Sequence, residues 1–582
     1  MEDGIDLGVA LDGFRILISA AVQNRRLSFV LGVFDFGTRA LISAESARVG
    51  RLKTLKCKGF SGKFSLAQQI PVVRPFRAQK LHSRTSVSNY VACVFGAENG
   101  RVSLGSLTRD GLRVTEVRRF LNEPVQQKKE LHWNIPYLYQ EMMEALRTLG
   151  ISDEPMDSIG CSSWGGDYML FDDQGSLMSP IYTFGDSRTD GIMQKVLSRI
   201  TAPALFQETG IQEAPANTLF QLVAESGRRL RNASHLLPIG DGFNCLLTGV
   251  PRVEMSLASA TQLFNPVTGA WSMRLLEQLR LDPRMFPKLV SAGTRLGPLR
   301  EDLEKQTALS GVQVIAACSS KTAASIAGLP IGGDESWAFL RPGPYTLIGT
   351  ETNKLALDES AHSLGFTNQV GCGGSVYLHK HAPGLWILDE CQKFWRTKDR
   401  DVEPDYLSHI ATSAPPFASI IDPMDPRFMV PGDMPLKIQA FCQETGQEVP
   451  RKPGPVYRCI LESLALMYRR TLTQLEQLSG RPMTRICLFG DSANSLLAHF
   501  TANALHIPAV VFTADSSAIG NVLMQALAMG HIRSLNDGRE LVRRSFKTHT
   551  ILPHATLWNE AYARFMHYSE ESAKERTANT AN

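Results

Sequence analysis

The sequence predicts an α/β protein of two or more domains. Three observations predict it. At 582 residues the chain exceeds what one hydrophobic core usually serves. Short apolar runs of strand length alternate with amphipathic helical stretches along most of it. Two strand-to-turn corners stand close together within residues 312–351, and such corners are where α/β proteins build phosphate or ligand sites.

Composition narrows the function classes. The chain is 43% hydrophobic and 20% charged, which fits a soluble globular protein rather than a disordered one. No apolar run reaches the roughly 18 residues a membrane span needs, so no membrane partner is expected. The ten cysteines form no CxxC pair, which predicts reduced thiols in an interior. Net charge is +4, but residues 1–87 carry fourteen Lys/Arg against six Asp/Glu, leaving −4 on the rest. A body with that balance is not expected to bind nucleic acid.

Residues 4–34 contain three strand-forming runs, LGVAL, FRILISAA and LSFVLGVF. Residues 47–90 are rich in Arg, Lys and Ser. A transit segment of that composition would begin at the first residue, and this chain begins Met-Glu-Asp-Gly. The expectation for 1–87 is a poorly ordered basic extension or a start codon placed too early. A small added domain or a targeting role is the alternative.

From Tyr90, YVACVFGAENGRVSLGSL reads as a hairpin with Gly96 and Gly100 in its turn. LHWNIPYLYQEMMEALRTLG is an amphipathic helix with Leu138, Met142, Met143 and Leu146 on one face. SIGCSSWGGDYMLF is a strand, turn and strand. In the first corner, Val314 to Ala317 lead into Ser319-Ser320-Lys321-Thr322 and a small-residue helix. In the second, a strand from Trp337 to Leu340 enters Arg341-Pro342-Gly343-Pro344. Residues 455–478 form a long amphipathic helix, and RICLFGDSANSLLAHF opens a strand-turn-helix unit. The tail after about 570 is polar.

Taken in order over residues 88–550, these segments resemble the FGGY family of carbohydrate kinases, most closely its rhamnulokinase branch. The turn after Phe95 is similar to the family's first phosphate loop, Asp-x-Gly-Ala-x-Ser-Gly-Arg, with Gly96, Ala97, Gly100 and Arg101 matching and Val94 in place of the Asp. Trp164, Gly165 and Asp167 match Asp-Thr-Trp-Gly-Val-Asp. Asp186 and Arg188 match further on. Gly210, Gln212, Asn217, Gln221, Asp241, Asn244, Gln262, Gly384 and Trp386 lie in segments that follow the family closely.

The resemblance implies two actin-like ribonuclease-H-type α/β domains with a ligand cleft between them, at about 88–330 for the sugar side and 331–570 for the nucleotide side. It also implies Mg-ATP as cofactor and a small-molecule sugar as partner; the cytoplasm is the default address, an organelle being the alternative if the basic leader targets. The reacting groups depart from the family. Its first corner reads His-Asp-Thr, the Asp taking the sugar's proton; here Ser320, Lys321 and Thr322 stand there. Its second reads Ser-Ser-Gly-Thr-Trp, the Thr holding phosphates; here that Thr is Pro344. His381 replaces a sugar-contacting Asn, and Asp389 a nucleotide-contacting Gln. The adenosine turn Gly-Gly-Gly-Ser/Cys-Gln-Asn becomes Phe489-Gly490-Asp491-Ser492-Ala493-Asn494.

An aspartate with a pKa of about 3.9 is an ionised base at pH 7, whereas a lysine at about 10.4 is already protonated. Valine offers a hard cation no oxygen. Proline removes a hydroxyl and an N–H. These departures predict a pseudokinase with weak or no Mg-ATP binding, no metal site, and a retained sugar-binding or regulatory role. The alternative is an active kinase for L-rhamnulose or a related ketose with a rebuilt site. Asp241, at the start of a helix, is expected to cap it rather than act as a base.

Overall fold

The computed structural model describes four strands within residues 5–47, and residues 87–580 outside 153, 333–335, 399–402, 491–494 and 555–556. Residues 1–84 and 85–582 form separate compact units. In the first, strands Ile5–Leu11, Phe14–Gln23, Arg26–Asp35 and Thr38–Ala47 make an antiparallel sheet in sequence order. The three expected runs are strands, and a fourth joins them. The expectation of a poorly ordered extension covers all of 1–87, of which 48–86 lie outside the described residues.

The larger unit contains two sheets built to one plan. The first runs Thr294–Pro298, Gln313–Ala316, Ser158–Ser162, Ser88–Phe95, Asn99–Leu107, Leu112–Leu121. Ser158–Ser162 is parallel to the strand on each side, and the rest of the sheet is antiparallel. The second runs Thr367–Val370, Val376–Pro383, Tyr345–Thr352, Trp337–Arg341, Arg485–Phe489, Ala509–Phe512, His549–Ile551. Its three parallel strands again sit between an antiparallel meander and an antiparallel edge. Strands covered on both faces should be apolar throughout. Asn89 to Phe95 are all buried, as are Trp337 to Leu340.

Helix Lys321–Ala327 after the first sheet crosses helix Ser516–Met529 after the second. Two glycines set the distance. A Cβ on Gly520 would lie 1.8 Å from the carbonyl oxygen of Ala324, and one on Gly328 would lie 2.1 Å from that of Ser516. No larger residue fits either place. The crossing therefore locks the first corner against the C-terminal half. Helix Pro453–Ser479 covers the far face of the second sheet and ends at Gly480, whose φ of 71° is glycine's region.

Two expectations are corrected. Cys318 and Cys372 are joined as a disulfide with Cα atoms 6.5 Å apart, so the thiols are not all reduced. They lie 54 residues apart in sequence, and only the packing of the first corner against the 371–374 loop brings them together. Asp241 does not cap its helix. It lies inside the first turn of Ile239–Thr248, and its carboxylate accepts from Ser319 Oγ at 2.7 Å. Among the described residues no helix is long and apolar enough to cross a membrane.

Candidate functional site

The first corner is clipped to the turn after Ser162. Ser163 N donates to Ser319 O at 2.7 Å, and Lys321 N donates to Ser163 O at 2.8 Å. Ser320 caps the helix, accepting from Ala323 N, and also accepts from Gln369 Nε2 at 2.9 Å. Lys321 is thus the first helical residue and Thr322 the second. The Lys321 ammonium rests over the hairpin turn: a Cβ on Gly96 would lie 2.7 Å from its Nζ. It also acts on Asp515. Burial works to raise that carboxyl's pKa. Hydrogen bonds from Ser517 and the Ala518 N–H, with the charges of Arg101 and Lys321, hold it below the ordinary value. Asp515 Oδ1 caps helix Ser516–Met529, and Oδ2 accepts from Arg101 at 3.3 Å.

The hairpin turn is closed on itself. Gly96 N donates to Asn99 O at 2.7 Å, and Gly96 O accepts from Asn122 Nδ2 at 2.8 Å. Val94 is buried opposite Arg101 on one neighbouring strand and Ser162 on the other. Ala97 is half-buried. Gly100 is fixed by Phe120, whose ring would lie 2.2 Å from a Cβ there.

One residue beyond Ser163 the 164–167 turn begins. Asp167, 1% exposed, receives Trp133 Nε1 at 2.6 Å, Trp164 Nε1 at 2.8 Å and Gln221 Nε2 at 2.8 Å. Burial pushes its carboxyl up to about 6, against those donors. Gln221 in turn accepts from Arg188 at 2.9 Å, whose guanidinium lies 4.1 Å from the Tyr182 ring centroid. Gly165 lets the turn approach Ala260, 3.2 Å from where a Cβ would sit.

At the second corner, Pro344 is exposed and its carbonyl accepts from Gly384 N at 2.9 Å and Trp386 N at 3.3 Å; Leu385 N donates to Gly343 O at 2.7 Å. The start of helix Trp386–Arg396 is therefore tied to this turn. Asp389 lies in its first turn, half-buried, with burial raising its pKa. His381 is exposed and meets His379 edge-on at 5.5 Å. Gly490, with φ 96°, lies against Arg341: a Cβ there would be 3.4 Å from Arg341 Cγ.

This architecture has known counterparts. The model of the FGGY family of carbohydrate kinases, N-terminal domain, matches residues 112–327, and that of the C-terminal domain matches 345–529. The chain belongs to the FGGY family of carbohydrate kinases. It is 35% identical to a rhamnulokinase of Bacteroides thetaiotaomicron over 82% of this chain and 98% of that one. It is 34% identical to a rhamnulokinase of Enterococcus faecalis over 79% and 93%. A gluconate kinase from Lactobacillus acidophilus has the same fold, with TM-score 0.70 at 16% identity over 85% of this chain and 98% of that chain. So does a xylulose kinase from Rhodospirillum rubrum, with TM-score 0.70 at 17% identity over 82% and 98%. The fold is thus the actin-like pair of α/β domains that the sequence predicts.

Within this FGGY frame, Ser320, Lys321 and Thr322 lie beside the turn that carries Trp164, Gly165 and Asp167. Val94, Gly96 and Arg101 close on the same corner. Arg341, Pro344, His381, Asp389 and Gly490 gather at the second corner. Asp491 lies outside the described residues. Lys321 pairs electrostatically with Asp515 rather than with Asp167 as part of its carboxylate network. Sequence reasoning missed Trp133, Gln221 and Asp515 as site residues. A buried carboxylate at 167 demands donors, and the indole of Trp133, just before a helix, was the available signal.

Proposed function

We propose that this FGGY chain is a rhamnulokinase-like pseudokinase: its cleft keeps a sugar-binding or regulatory role, and ATP-dependent sugar phosphorylation is lost or very weak. The observation that carries this reading is the Lys321 ammonium resting on the Gly96 turn. The proton acceptor of a phosphoryl transfer is replaced there by a cation, and the cradle for a phosphate is filled by it. The nearby carboxylate of Asp515 is committed on both oxygens, one to its helix and one to Arg101.

The donor set does not fit Mg-ATP. Val94 puts a buried isopropyl group where a carboxylate would help place the metal. Among the described residues no three His, Cys, Asp or Glu side chains converge to hold one. Pro344 offers the second corner neither hydroxyl nor N–H. Phosphoryl transfer depends on positioned metal charge and an aimed nucleophile, and these corners offer neither.

The 164–167 turn supports the sugar role. The half-buried Trp164 indole, its N–H held by the buried Asp167 carboxylate, presents a fixed apolar face of the kind that suits the C–H face of a ketose. The test is direct. Purified full chain is melted with L-rhamnulose and with Mg-ATP, and ATP consumption is followed with both present. Stabilisation by the ketose without turnover is expected. Sugar-dependent turnover at a rate comparable to the Bacteroides relative, abolished by Lys321→Ala, defeats the reading.

A further inference from the structure

We propose that the Cys318–Cys372 disulfide is a redox latch: a dithiol opens it reversibly, which frees the 371–374 turn and loosens the first corner. The proposal rests on the sugar-binding reading only for its effect on affinity.

Cys318 lies between strand Gln313–Ala316 and Ser319, where the first corner begins. Cys372 lies in the turn between strands Thr367–Val370 and Val376–Pro383, at one edge of the second sheet. The bond therefore ties the corner of the first sheet to the edge of the second.

Hydrogen bonds hold the strand before the turn. Gln369 Nε2 donates to Ser320 Oγ at 2.9 Å, and Val370 N donates to Ser259 Oγ at 3.1 Å. The turn itself is bonded inward. Gly371 N donates to Ser375 O at 2.8 Å, Cys372 N to Tyr377 Oη at 3.3 Å, and Ser375 Oγ to Cys372 O at 3.0 Å. Gly373 and Gly374 are exposed, with φ of 72° and 84°, and a Cβ on either would meet nothing within 4 Å. Glycines in open space can change φ at little cost. Sulfur thus holds the turn to the corner, and the turn has room to swing once the sulfur lets go.

Both sulfurs are buried while the bond is closed. Cys372 and Gly373 line a cavity of about 390 Å³ whose wall also carries Arg481 and Arg539; Cys318 is not part of that wall. Exchange proceeds by attack of a thiolate on one sulfur, and cationic surroundings favour the thiolate. A small dithiol therefore enters on the Cys372 side as the glycine turn swings. Its first thiolate bonds to Cys372 Sγ, the S–S bond breaks, and Cys318 leaves as a thiolate that takes up a proton. Its second thiolate then displaces Cys372. The reagent is left as a cyclic disulfide, oxidised by two electrons, and the protein as two thiols, reduced by two.

The neighbour of Cys318 carries the consequence. Ser319 O accepts from Ser163 N, one residue before Trp164, and Ser319 Oγ donates to Asp241. Ser320 caps the helix that begins at Lys321. Opening a cross-link returns freedom to the segments it joined, and here those segments include the clip to the Trp164 turn.

Full chain purified without reductant, alkylated and mapped by mass spectrometry, should show Cys318 joined to Cys372. Dithiothreitol should free the pair under native conditions, and its oxidised form should restore the bond. On reduction, amide hydrogen exchange at 319–327 and 371–377 should rise at least about fivefold, and L-rhamnulose affinity should fall by a similar factor, the low end of usual coupling between sites. Cys372→Ser should match the reduced form and ignore dithiothreitol; reduced wild-type protein carries the comparison if that variant does not fold. Free thiols at both positions in unreduced protein, a bond that the folded chain does not yield to a dithiol, or exchange at the corner unchanged by reduction overturns the proposal. Absence of L-rhamnulose binding in both redox states defeats the sugar reading instead, and the exchange rates then decide the latch alone.

Discussion

The 164–167 turn holds a negative charge that is fully partnered, and the 341–344 turn holds a positive charge that is not. Asp167 is enclosed by two indoles and an amide whose own oxygen is taken by Arg188. Removing any member strands another buried polar group, so the cluster is held together by its own hydrogen bonds. Arg341 and Pro344 sit at a corner whose backbone bonds are complete without their side chains. Side chains there can change with little effect on packing. On the proposed reading, the sugar side keeps its family's groups and the phosphoryl side has exchanged oxygen donors for cations and a ring.

The largest expected effect is on turnover. Loss of a general base alone costs about 10² to 10⁴ in rate, and loss of metal placement adds to it. Sugar phosphorylation should run at least about 10⁴-fold below that of the Bacteroides relative in a coupled assay. Lys321→Asp alone should leave it there, because Val94 and Pro344 remain. A rate restored by that single change would erase the difference between the two turns.

Next comes the frame that carries the altered corner. Gly520→Ala drives a methyl group into the Ala324 carbonyl, 1.8 Å away. Neither backbone can move alone, and a loss of at least about 3 kcal/mol is expected in denaturant unfolding. A mild effect would mean that the phosphoryl side is loose in its backbone as well as altered in its side chains.

Acid should act on the second corner. His379 is buried, and burial lowers its pKa from the ordinary 6.5 to about 4. Its folded-state pKa is depressed, so its contribution is complete above about 6.5 and is lost as pH falls through about 4. Protonation disfavours the fold by about 3 kcal/mol over that window. Urea midpoints between pH 7 and 4 should fall less steeply for His379→Gln than for the parent. Parallel acid limbs would show that burial does not keep His379 neutral in the fold.

The smallest effect belongs to the satisfied turn. Trp133→Phe keeps the ring and deletes one donor to Asp167, for a cost of about 1–3 kcal/mol. The remaining carboxylate should also titrate at higher pH, visible by NMR of a labelled Asp167. An unchanged titration would show that Trp133 is packing only.

The class and the order of elements were legible in the sequence because they rest on local pattern. The runs Tyr90 to Phe95 and Trp337 to Leu340 are apolar, and Ala323, Ala324, Ser325 and Ala327 are small because a second helix passes close by. The substitution at Lys321 was legible too, since it lies in a corner of recognisable frame. The Asp241 cap was misread because an acid in the first turn usually serves the helix, and nothing local reveals that Ser319 will lie across from it. The Cys318–Cys372 pair was invisible for a similar reason: at a separation of 54 residues, nothing local shows which thiols will meet.

By itself the chain's residue order determined two α/β halves, the sites of their corners and the chemical identity of what stands at each. Hydrophobic periodicity and turn residues act over a few positions, so they can be read from a line of letters. Only the tertiary structure decided where the charges point. It put the Lys321 ammonium on Gly96 and beside Asp515, gave Asp167 its three donors, and left the guanidinium of Arg341 without one acceptor among the described residues. Electrostatic partnership falls off over a few ångströms of space, and neighbours at that range come from strands and helices hundreds of residues apart.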